Sequence, residues 1–76
     1  MDYKFFTNMV WTEVAKCPKQ WRKGQKVFNV IESLFEVSKF VQFVDGIDCF
    51  YDDDKIQDFI DAAWKMVGPK DPDEEV

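Results

Sequence analysis

Six apolar residues, Ile56, Phe59, Ile60, Ala63, Trp64 and Val67, recur at helical spacing. Only an α-helix with one buried face gathers such residues into a single stripe. Both ends of the segment are marked as well: Asp52-Asp53-Asp54 precedes it and Gly68-Pro69 follows. Carboxylates collect where a helix begins, because its first N–H groups lack partners and its dipole is positive there. Proline cannot extend a helix, and a glycine before it readily takes the left-handed conformation that closes one. The spacing predicts a helix over 53–67 with Asp53 and Asp54 as its cap. Gln57 is placed to complete a capping box with Asp54, Asp61 to pair with Lys65 one turn on, and Gly68 to turn left-handed.

Two more stripes precede it. Tyr3, Phe6, Val10, Val14 and Cys17 share one face of a helix expected over 3–17, with Asp2 as its N-cap and Trp11 off the stripe. Pro18 interrupts. Val27, Phe28, Ile31, Leu34 and Phe35 make a wide face over 20–36. Gly24 near its start costs about 1 kcal/mol relative to alanine. Either another backbone approaches there, or the helix begins at Gln25. Residues 37–51 support two readings. Val37, Phe40, Val41 and Val44 fit a short packed helix, whereas Asp45-Gly46 followed by Ile47-Asp48-Cys49-Phe50-Tyr51 has the composition of a hairpin. The fold class expected is all-α, three long helices plus one short helix in a single domain over 1–68, followed by a disordered acidic tail over 69–76. The alternative is α+β with a short hairpin at 40–51.

A chain of 76 residues holds one domain. Its eight Phe, three Trp and two Tyr supply enough area for a core without disulfides or metal. Charge is uneven: residues 1–44 carry seven Lys/Arg against four Asp/Glu, and 45–76 carry three against eleven. The halves attract each other or face different partners. Two cysteines and no histidine predict free thiols rather than a disulfide scaffold. The Met1-Asp2-Tyr3-Lys4 start has no apolar run, so no signal peptide is expected, and no uncharged stretch is long enough to span a membrane. The expected setting is the cytoplasm.

Two blocks stand out in the middle: Arg22-x-Gly24-Gln25-x-x-Phe28-Asn29, then Gly46-x-Asp48-x-Phe50-Tyr51-x-Asp53-Asp54-x-Ile56-x-x-Phe59. Their pairing resembles a group of very short phage and prophage proteins common in gut bacterial viruses. The match covers about residues 20–60. The group carries no assigned activity, so the resemblance implies a viral origin and action within an infected cell, and supplies no catalytic residue. The polar residues of the blocks, Arg22, Gln25, Asn29, Asp48, Tyr51 and Asp52, are expected to form a structural cluster that pins a loop across the second helix. In that cluster Arg22 pairs with Asp48 or Asp52, and Phe50 and Tyr51 anchor in the core.

Chemistry is sparse. The calcium-loop pattern fails, because counting from Asp52 puts Gln57 where glycine is needed and Ala63 where glutamate is needed. Without histidine, two distant cysteines make no zinc site, and no imidazole base exists for catalysis. No metal, cofactor or catalytic residue is expected. A protein partner is: Trp11, Trp21, Trp64, Phe5 and Phe43 exceed what so small a core can hold, and exposed rings anchor interfaces. The candidate partner-binding residues are Trp11, Trp21, Arg22, Lys23 and Trp64, and the partner is a host or phage protein or a second copy. The alternative is nucleic-acid binding by the 16–26 segment, where Lys16, Lys19, Arg22, Lys23 and Lys26 surround Trp21 with no acid.

Overall fold

The computed structural model of the chain describes residues 2–68, and the acidic tail expected at 69–76 lies outside them. Helix α1 spans Tyr3–Val14, with the Asp2 carboxylate accepting from the Phe5 amide at 2.8 Å. Its buried residues, Phe6, Val10 and Val14, step by four. The helix stops before the expected Cys17. Lys16 N–H and Cys17 N–H already bond three residues back, to Glu13 and Val14. Pro18 disfavours a helical conformation at Cys17.

Helix α2 spans Lys23–Phe35, and its wide face buries Val27, Phe28, Val30 and Ile31. It starts after the expected position 20, at the point where the Gln25 side chain accepts from the Arg22 amide at 3.4 Å. At the other end Glu36 closes it at φ 58, a left-handed backbone without glycine. The turn is held by its neighbours: Glu32 Oε1 accepts from Ser38 N–H at 3.1 Å and Lys39 N–H at 3.4 Å. The fully buried Ser38 hydroxyl donates to the Phe28 carbonyl at 2.7 Å.

The ambiguous stretch is helical. A single turn α3, Ser38–Phe40, widens into a π-helical turn, Val41–Asp45, closed by Gly46 at φ 70. Gly46 thus spends its positive φ on ending a helix and not on a hairpin turn, and no strand occurs among the described residues. The expected packing face is corrected in part. Val41 is fully buried and Val37 partly, but Phe40 and Val44 point outward with Phe43. The wider turn rotates Val44 away from the position a 3.6-residue period assigns, and Phe40, which precedes it in α3, lies on the outer flank of the Val37 and Val41 face.

An extended strap over 46–52 crosses α2 and enters a 3-10 turn, Asp53–Lys55, that leads into helix α4, Ile56–Val67. Phe59, Ile60, Ala62 and Ala63 complete the core on Phe6, Val10, Val27, Ile31, Val41 and Cys49. Three local expectations at this helix are corrected. Asp52, not Asp53 or Asp54, makes the capping bond, accepting from Asp54 N–H at 3.0 Å. Gln57 and Asp61 are drawn to α1 instead of to Asp54 and Lys65: the Tyr3 hydroxyl donates to Asp61 at 2.8 Å, and the Gln57 amide donates to both. Gly68 sits at φ −78 and is needed for space, since a Cβ there would overlap the Trp64 carbonyl and come within 2.6 Å of its ring.

Gly24 decides how strap and helix meet. A Cβ on Gly24 would overlap the Cys49 carbonyl oxygen and lie 2.8 Å from Asp53 Oδ1. The obstacle is backbone, which cannot swing aside. Gly24→Ala is therefore expected to lose about 3 kcal/mol. Gly46→Ala, where the added methyl meets open space and only φ is unfavourable, should lose about 1 kcal/mol. Paired denaturant titrations read both, and equal losses would remove the seam from the explanation.

Candidate interaction surfaces

The two sequence blocks meet at that seam. Arg22 Nη2 donates to the Phe50 carbonyl, Gly24 N–H donates to Asp53 Oδ1 at 3.0 Å, and Cys49 Sγ donates to the Gly24 carbonyl at 3.3 Å. Below, the Phe50 ring meets Phe28 edge-on at 5.4 Å, and Phe28 meets Phe59 at 5.5 Å. The strap is pinned across α2, but by different partners from those expected. Arg22 takes a backbone carbonyl in place of Asp48 or Asp52. Asp48 accepts from the Phe50 amide at 2.9 Å and holds the strap's own turn. Asn29 faces a recess elsewhere on α2. Tyr51, expected in the core, is 73% exposed, its ring beside Phe50 and 5.9 Å from the Arg22 guanidinium.

The candidate partner-binding residues are dispersed. Trp64 packs half-buried between α1 and α4, 5.3 Å from the Phe6 ring and 5.9 Å from Tyr3. Trp11 lies half-buried on α1 with the Lys23 ammonium 5.3 Å from its centroid, a cation–π contact. Trp21 lines a recess of about 440 Å³ where the end of α1, the turn after it and α2 meet; Pro18, Val30 and Leu34 are further apolar parts of its wall, with Lys16 and Glu13 among its polar ones. Within the basic 16–26 segment three cations have partners in the chain: Lys16 bonds Glu13 at 3.0 Å, Lys23 covers Trp11, and Arg22 holds the strap.

The largest exposed apolar group is one that periodicity missed. Phe43 is 79% exposed and Val44 63% on the turn after α3, and Phe40, at the end of α3, is 54% exposed. Phe43 alone was expected at the surface, from an excess of rings over core volume.

The two thiols sit in different surroundings. Burial, reinforced by the charge of Asp48, pushes the Cys49 thiol up to about 12, so it holds its proton. Cys17 is half-buried and donates to the Glu13 carbonyl at 3.6 Å. Among the described residues no three His, Cys, Asp or Glu side chains gather as a metal ion would need. No described helix is long and apolar enough to cross a membrane.

No protein family, curated protein or solved structure matches the chain.

The thiols give a direct check. Near pH 8 a disulfide-exchange reagent should titrate Cys17 in the native protein and reach Cys49 only on unfolding. Because the folded pKa of Cys49 is raised above its ordinary 9.0, the stability it contributes is complete below that value. It is lost as pH climbs from there towards the folded pKa. Fast labelling of both cysteines in the folded state would contradict the placement of Cys49.

Proposed function

We propose that this chain is a small phage-type accessory protein that acts in the cytoplasm of an infected host cell as a non-enzymatic protein–protein interaction module. The observation that carries the reading is the exposed cluster Phe40, Phe43 and Val44 on a turn whose backbone is fixed from below by Val41, Ser38 and Glu32. Leaving two phenylalanines in water costs a small protein solubility and gains its own fold nothing. A rigid turn that presents them also loses little entropy on docking, which is the property of an interface anchor.

The non-enzymatic part rests on chemistry. Cys49 is buried and protonated, histidine is absent, and the strap acids are engaged as hydrogen-bond acceptors for backbone amides. The phage assignment rests on the paired blocks, which contact each other through Arg22, Gly24, Phe28, Phe50 and Asp53. Using the 16–26 segment on nucleic acid would ask Lys16, Arg22 and Lys23 to leave the partners they have.

A photo-crosslinking residue placed at Phe43 should yield discrete protein adducts in cells that make the chain, and the same residue at Asp58, an exposed position of α4, should not. Phe43→Ser should hold stability within about 0.5 kcal/mol by thermal melt, as an exposed position does, and should lose whatever association the wild type has. Adducts from both positions alike, or from neither, would contradict the reading.

A further inference from the structure

We draw no further inference here: the strongest candidate, the recess of about 440 Å³ where the end of α1, the turn after it and α2 meet, has Lys16 and Glu13 bonded to each other as its charged lining, and nothing in the structure shows what covers its apolar wall of Trp21, Val30 and Leu34.

Discussion

Where α2 begins, a residue without a side chain lets another backbone lie directly on the helix, and the architecture follows from that contact. The strap passes so close to Gly24 that the Cys49 carbonyl fills the space of a Cβ. This closeness drives Cys49 into the core, presses Phe50 onto Phe28, and delivers Asp53 to the Gly24 amide. That amide is one of the orphan donors at a helix start, and it is satisfied from a residue twenty-nine positions away. The same acid sits in the turn that launches α4, so one carboxylate fixes the start of α2 and the entry of α4 together. It also offsets the unfavourable placement of Arg22 and Lys23 at the positive end of the α2 dipole.

The long elements were readable because each needs only its own stripe. Phe6, Val10 and Val14, then Val27, Phe28 and Ile31, then Phe59, Ile60 and Ala63 announce three buried faces whatever they pack against. The close backbone approach at Gly24 was also visible as an alternative, since glycine inside a helical pattern needs a reason. What escaped was decided between elements. Local spacing assigns Gln57 to Asp54 and Asp61 to Lys65, but Tyr3 of α1 lies nearer and takes both. Gly68 reads as a left-handed cap and is in fact kept small by the Trp64 ring. Counting charges assigns Arg22 to an acid, whereas the partner it finds is a bare carbonyl of the strap. The exposure of Val44 depended on a wide turn that no 3.6-residue count describes.

The resulting division of labour bears on function. Three of the five aspartates between 45 and 54 hold backbone: Asp48, Asp52 and Asp53 each accept from an amide. The surface that remains is defined by shape and apolarity. Two exposed rings stand at the end of α3 and on the turn after it, and a recess of about 440 Å³ is lined by Trp21. The small core leaves the rings outside because the three helices and the strap are already closed without them.

The most direct probe of the seam is native-state hydrogen exchange at the Gly24 amide. A donor in the first turn of a helix ordinarily exchanges almost as fast as an unfolded one, since nothing inside the helix accepts it. Held by Asp53 beneath the strap, it should instead exchange only through global unfolding, at the free energy shown by core amides such as Ile31. Exchange on the timescale of a frayed end would mean that the strap does not hold α2, and that the fold is organised some other way.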